Sequence, residues 1–356
     1  MRQVRIAAML LTLVLTGFSP AGADEPATAK SSARVALNVS IAVFDPGVPD
    51  DQSQFRDLKI FPRIRQVEAR FLPFVLRDTL ANSHDWGAVR VVPEPDIAAE
   101  LLVTGTILRS DGAVLALKIR AVDAGGHVWL DKAFSGPVAD TRAVADKSGI
   151  QQPVFAQVAV ELEAAQRQRD AAELRRISDI SLIRYGNRLA PSAFGQYLNE
   201  GSDGTFSLKR LPAANDPMLE RIQRIRGVEY IFTDAVDTKF RELNSEIASI
   251  YALWREHRRK SLEYEKEDAR WAATSTDNLE RGSYESIQNI YDNYKFHRIT
   301  QQEQDKLAIA FNNEVGPKVD AMEQRIAELE FWVEQRYIEW HRLLEQLFEA
   351  ETQIEQ

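Results

Sequence analysis

The chain has no cysteine among its 356 residues, and this removes several kinds of chemistry at once. No disulfide can staple the fold, no thiolate can hold a metal, and no thiol can serve as a nucleophile. Stability must come from ordinary burial, for which an apolar content of 44% is sufficient. The absence also suits an oxidising compartment, where a stray thiol risks wrong pairing. Histidine is sparse: His84, His127, His257, His297 and His341 are scattered, with no pair at metal-ligand spacing. No nucleophile elbow, phosphate-binding glycine loop or dinucleotide fingerprint occurs after the leader. A basic excess is missing as well. With 44 Lys and Arg against 53 Asp and Glu, the formal charge is −9, which argues against a general nucleic-acid or anionic-membrane binder. Carboxylates are numerous but lie along helical stretches beside Lys and Arg, the pattern of a solvated face. No catalytic, metal or cofactor site is therefore expected.

Long apolar runs are scarce too, and the single one is informative. Arg2 and Arg5 precede an apolar stretch from Ile6 to Phe18, and Ala21-Gly22-Ala23 follows. This is the three-part layout of a secretory signal peptide, with cleavage expected after Ala23. The run is about a dozen residues, short of the ~18 needed to cross a bilayer. No cysteine follows it, so a lipid-modified amino terminus is not expected. The expectation is a soluble periplasmic protein with no transmembrane segment in the mature chain.

Residues 24–34 are small and polar and read as a flexible lead-in. The segment from Val35 to Phe44 is β-branched and partly alternating, a strand that ends at Asp45-Pro46-Gly47. Asp50 to Arg65 is irregular and charged, and reads as a surface loop. From Gln66 to Ser83 the apolar residues Val67, Phe71, Leu72, Val75, Leu76 and Leu80 recur at helical spacing. Pro73 inside that pattern implies a kink or a start nearer Phe71. Short strands follow at Val89–Pro93, Leu101–Leu108, Ala113–Val122 and His127–Phe134, with Asp111-Gly112 and Asp123-Ala124-Gly125-Gly126 as turns.

The run Ile41-Ala42-Val43-Phe44, the helix, Ala99-Glu100-Leu101-Leu102-Val103-Thr104-Gly105-Thr106-Ile107, the Asp111-Gly112 hairpin and Val128-Trp129-Leu130-Asp131-Lys132 together resemble a known pattern. It is that of the TolB amino-terminal domain and of the related folds of curli-secretion CsgG and the penicillin-binding-protein activator LpoB. This chain carries Glu100 where that group usually has Asp. The resemblance covers about 110 residues and implies a small non-catalytic α/β domain, residues 35–145, that docks other envelope proteins. No β-propeller repeat follows it.

Residues 151–356 read as helical. One helix is predicted from Pro153 to about Ile177, a looser helical stretch from Ile180 to Leu198, and a turn at Gly201-Ser202-Asp203-Gly204 before an extended piece. Asp216-Pro217 opens a long helix to about Trp271, on the order of 80 Å if unbroken. Further helices are predicted at 284–297, at 301–315 behind the capping box Thr300–Glu303, and at 318–352. The fold class expected is α+β, a small α/β sandwich followed by an elongated antiparallel helical bundle or coiled coil.

Two basic clusters stand out. Arg56, Lys59, Arg63, Arg65 and Arg70 enter the first helix, and Arg255, His257, Arg258, Arg259 and Lys260 lie on the long one. Either could dock an anionic partner, or be a solvated run balanced by nearby acids. The aromatic segment 284–297, with Tyr284, Tyr291, Tyr294 and Phe296, is core by spacing or else a groove for a glycan or small ligand. The reading is thus a non-enzymatic envelope protein that docks partners, with self-association through the carboxy-terminal helices. A glycan binder and a cell-wall hydrolase or transferase with a carboxylate site are the alternatives.

Overall fold

The computed structural model describes residues 35–57, 60–138, 153–213, 215–277 and 316–353, with isolated helical positions between 291 and 313. The amino-terminal half is a five-stranded sheet. Its strands are β1 (Val39–Ala42), β2 (Val89–Val92), β3 (Leu101–Ser110), β4 (Val114–Asp123) and β5 (Val128–Pro137), in the order β2-β1-β3-β4-β5. β1 runs parallel to both β2 and β3, while β3, β4 and β5 form an antiparallel meander. Alternation makes the sheet one-sided. Leu101, Val103 and Ile107 on β3 and Leu115, Leu117, Ile119 and Ala121 on β4 are fully buried. Lys118 and Arg120 face water and pair with Asp131 of β5.

A short helix α1 (Gln54–Asp57) and then α2 (Pro62–Ser83) occupy the stretch read from sequence as a loop and a shorter helix. α2 starts at Pro62, whose fixed φ and missing amide suit the first helical turn. Pro73 sits inside α2 without ending it. Proline removes the bond that would have gone to the carbonyl four residues earlier, on Ala69. That carbonyl instead accepts the Phe44 amide at 2.9 Å, so the break in the helical ladder becomes a tie to the end of β1. α2 closes at His84, in the left-handed region at φ 58.

The apolar face of the sheet is covered by α2 and by α3 (Pro153–Arg167), which packs on β5. Val154, Phe155, Val158 and Leu162 of α3 share one core with β1, β3, β4 and α2. The boundary drawn near residue 150 from sequence therefore runs through a core, and Val35–Gln356 forms one compact unit. The single helix predicted over 153–177 is two. α3 ends at Arg167 and α4 (Ala171–Leu189) begins at Asp170, whose side chain accepts the amides of Ala172 and Glu173. A helical turn α5 (Pro191–Phe194) leads into the hairpin of β6 (Leu198–Glu200) and β7 (Phe206–Leu208).

Helix α6 (Pro217–Asp277) has 61 residues, about 90 Å at 1.5 Å per residue. It runs past Trp271, the end expected from sequence, as far as Asp277. Helix α7 (Gly316–Gln353) returns along it. Val319 and Ile326 join the core that holds Leu243, Tyr251 and Trp254. Trp340 stacks on Phe232 with ring centroids 5.2 Å apart, and Leu344 meets Ile222 and Ile225. Rising numbers on α7 meet falling numbers on α6, so the pair is antiparallel. Most of the aromatic segment 284–297 and the helix predicted at 301–315 lie outside the described residues.

Candidate docking interface

The two basic clusters singled out in the sequence meet at one place, where α2, the β3–β4 hairpin and α6 converge. On α2, Arg65 and Glu68 are three residues apart and share a face. On α6, Tyr251, Trp254, Arg255 and Arg258 recur at three- and four-residue steps and share another. Between them lie Ser110 and Asp111 at the end of β3. All of these side chains are buried, Glu68 completely.

The Arg65 guanidinium donates to the Ile107 carbonyl at 2.7 Å. Ser110 Oγ donates to Glu68 Oε1 at 2.5 Å. Burial pushes the Glu68 carboxyl up to about 7, against the pull of Ser110, Tyr251, Arg65 and Arg255. Burial and the neighbouring Glu68 raise the Tyr251 hydroxyl well above the usual range. Burial moves Arg65 downward, since a guanidinium loses hydration there. Arg258 Nε donates to the Asp111 carbonyl at 3.2 Å, Arg258 NH1 pairs with Glu265 at 2.8 Å, and the guanidinium lies over the Phe61 ring. The turn residue Gly112 has φ +87, and a Cβ there would stand 2.5 Å from Arg258 Cγ. Both the turn geometry and the approach of α6 therefore require glycine at this position.

Further charge-assisted bonds tie α6 down along its length. A single guanidinium nitrogen of Arg77 on α2, NH1, reaches both carboxylate oxygens of Asp237 at 2.6 and 2.8 Å in a buried contact, while Nε and NH2 turn to Asp78. Arg90 of β2 pairs with Asp234 at 2.7 Å and lies over Tyr230. Arg226 donates to the Ala98 carbonyl and to Ser181 of α4, and Arg188 of α4 reaches Glu229. Arg63 bridges α2 to Asp320 and Glu323 of α7.

The predicted docking residues are accounted for as follows. Arg65, Arg255 and Arg258 are buried, which corrects the view that they present charge to an outside partner. They became inward-facing because each lies on the same helical face as the apolar residues that contact the sheet or α2. Arg259 and Lys260 make pairs with Glu263 and Glu256 four residues away on α6, and Arg70 donates to the Gln66 carbonyl. Arg56 sits in α1, and Lys59 lies outside the described residues. The partners that complete the cluster, Glu68, Ser110, Asp111 and Tyr251, were not singled out in the sequence. The available signal was Glu68 standing on the otherwise apolar stripe of α2.

Another place could hold a ligand by shape and charge. A groove of about 340 Å³ beside the start of α4 is lined by Asp123, His127, Asp170, Glu173 and Arg176, among others. Its carboxylates are already engaged within the fold. Asp123 accepts the His127 amide and the Trp129 indole, and Asp170 caps α4. Among the described residues no group of three or more histidine or acidic side chains could hold a metal ion, and no helix is long and apolar enough to cross a membrane.

Large apolar side chains stand exposed at several places on the described surface, Ile97, Val160 and Ile231 among them, and several gather on α7. Val319, Ile326 and Val333 recur every seven residues and are buried. Phe331 is 65% and Ile338 59% exposed, and their positions fall about 200° around the helix from that seam. Trp332 and Leu343 are also exposed, on the flank between. Compared with protein-family models, with curated proteins and with solved structures, the chain matches none.

Proposed function

We propose that this chain is an exported, non-enzymatic protein of the bacterial cell envelope that acts as a docking or assembly module. In this reading residues 1–23 are a cleaved signal peptide and the mature protein works in the periplasm. In the same reading the sheet with α2, within residues 35–145, is the TolB-amino-terminal-like domain, and α6 and α7 form a helical arm built onto it. The observation that carries the reading is the outer face of α7. Phe331 and Ile338 stand in water on a helix whose inner stripe already has a partner, and paired large apolar side chains in that position are characteristic of interaction surfaces. Charged side chains of α6 support it from the other direction, since Arg226, Glu229, Asp234, Asp237 and Arg258 are engaged by α4, β2, α2 and the β3–β4 hairpin.

The test places a photo-activated cross-linking residue at Ile338 and, as a control, at Lys118 on the open face of the sheet. The tagged chain is expressed in intact cells and captured species are identified by mass spectrometry. Docking predicts reproducible capture of one or two envelope proteins, this chain included, at position 338 and not at 118. Equal or absent capture at both positions refutes it. Recovery of the chain in the cytoplasm with residues 1–23 intact refutes the export reading separately.

A further inference from the structure

We propose that the occupant of the outer face of α7 is a second copy of this chain, docked as an antiparallel α7–α7 pair about a twofold axis at Gln335. This names the partner within the docking reading above and rests on it. The outer stripe runs Gln324, Glu328, Phe331, Gln335, Ile338 and Arg342, every one of them exposed. Their steps of three and four residues keep them on one side of the helix. Counted outward from Gln335, the stripe is complementary to its own reverse. Phe331 lies four residues before the axis and Ile338 three after it. Glu328 lies seven before and Arg342 seven after.

An antiparallel second copy therefore sets Phe331 of each chain against Ile338 of the other, and Glu328 of each against Arg342 of the other. One contact yields two apolar pairs and two opposite-charge pairs from four residue types. A parallel, in-register pair would set Glu328 against Glu328 and Arg342 against Arg342, a like-charge arrangement at both ends. Charge order thus selects the antiparallel mode. Within its own chain Glu328 accepts only a neighbourly bond from Gln324 at 3.1 Å among the bonds made on this stripe, so a guanidinium can replace that donor. Trp332 flanks the apolar centre on one side. On the other, the second copy's Glu334 faces Glu334, the one unfavourable contact of the arrangement. From Glu328 to Arg342 the stripe is about 21 Å long at 1.5 Å per residue. A two-helix contact of this length buries less than the ~1,200 Å² of a standard interface, so the dimer is weak and depends on concentration.

The experiment is sedimentation equilibrium of the purified chain and its variants over a hundredfold concentration range. The wild-type chain is expected to reach the mass of two copies at the upper end. Phe331→Glu combined with Ile338→Glu gives a monomer throughout, with an unchanged circular dichroism spectrum because both positions are on the surface. Glu328→Arg and Arg342→Glu each weaken association by about tenfold, since each reverses two symmetry-related pairs. The two reversals together restore wild-type affinity, and Glu334→Gln tightens it. The absence of native cysteine permits a second readout. Gln335→Cys forms a covalent dimer on oxidation. Glu328→Cys does not do so with itself, but does with Arg342→Cys. A wild-type chain that stays monomeric, or a double charge reversal no better than the single ones, overturns the proposal. If the chain is monomeric while a cross-linker at Ile338 captures a different envelope protein, self-docking is wrong and the docking reading stands. If position 338 captures nothing, both fall.

Discussion

Glu68 offers the sharpest quantitative test of the buried cluster. Its carboxyl is moved by burial from 4.5 to about 7, with Ser110, Tyr251, Arg65 and Arg255 pulling the other way. Between those two values the unfolded chain has released the proton while the folded chain retains it. Stability therefore falls as pH rises through this window, by about 1.4 kcal/mol per pH unit and by about 3 kcal/mol in all. Below pH 4.5 both states are protonated and the penalty is absent. Glu68→Gln keeps the size of the side chain and its capacity to bond Ser110 and Tyr251, but it cannot ionise. The variant is expected to match the wild type near pH 4.5 and to exceed it by about 3 kcal/mol at pH 8. Urea unfolding followed by tryptophan fluorescence reports directly, because Trp254 stacks on Tyr251 with ring centroids 5.7 Å apart. Taking the difference between variant and wild type at each pH cancels other titrating groups. A variant less stable than the wild type at pH 8 refutes the reasoning. It would mean that Glu68 is ionised in the fold and is the counter-charge that Arg65 and Arg255 require.

Gly112→Ala is expected to cost at least about 2 kcal/mol, because φ is +87 and the new Cβ would meet Arg258 Cγ at 2.5 Å. A melting temperature equal to wild type would show that α6 does not rest on the hairpin. Arg77→Ala is expected to cost about 1–3 kcal/mol, since the buried Asp237 carboxylate loses its partner on α2 and keeps only the exposed Arg241. Replacing both residues with leucine should cost less than that single change, as measured by a double-mutant unfolding cycle. Gly105→Ala puts a Cβ 2.7 Å from the Phe44 ring, for about 1–3 kcal/mol. Adding Phe44→Leu should recover part of the loss, and simple additivity would count against the contact.

The sheet was legible because its signals are local. Alternation on β3 and β4, and turn residues at Asp111-Gly112, place strands without reference to anything distant. The long helix was legible for the same reason, from its apolar spacing. What escaped was decided by partners far away in sequence. Pro73 looks like a helix breaker until Phe44, on another element, takes the carbonyl of Ala69 that it orphans. Asp170 was passed over as a cap because the polar run around it continues the composition of both neighbouring helices. The basic clusters misled more instructively. A run of arginines reads as a charged surface when only its sequence neighbours are visible, whereas the carbonyls that accept from Arg65 and Arg258 are 42 and 147 residues away.

Those separations also bear on how the molecule is built. Had residues 217–277 formed an independent arm, its polar groups would face water and its apolar stripe would need only α7. Instead α6 contributes Leu243, Tyr251 and Trp254 to the same core as β1 and β3, and its charged residues close against α2, β2, α4 and the hairpin. Removing α6 would take Tyr251 and Arg255 from Glu68 and Asp237 from Arg77, and would bare the apolar face that Leu243, Tyr251 and Trp254 cover. The sheet with α2 and α3 should therefore fail to fold when the chain is cut at residue 213, although its own strands and both covering helices are intact. A soluble, cooperatively unfolding fragment 24–213 would show that the ion pairs to α6 are accessory. An aggregated one that regains solubility only when 214–356 is co-expressed would show that the arm completes the fold.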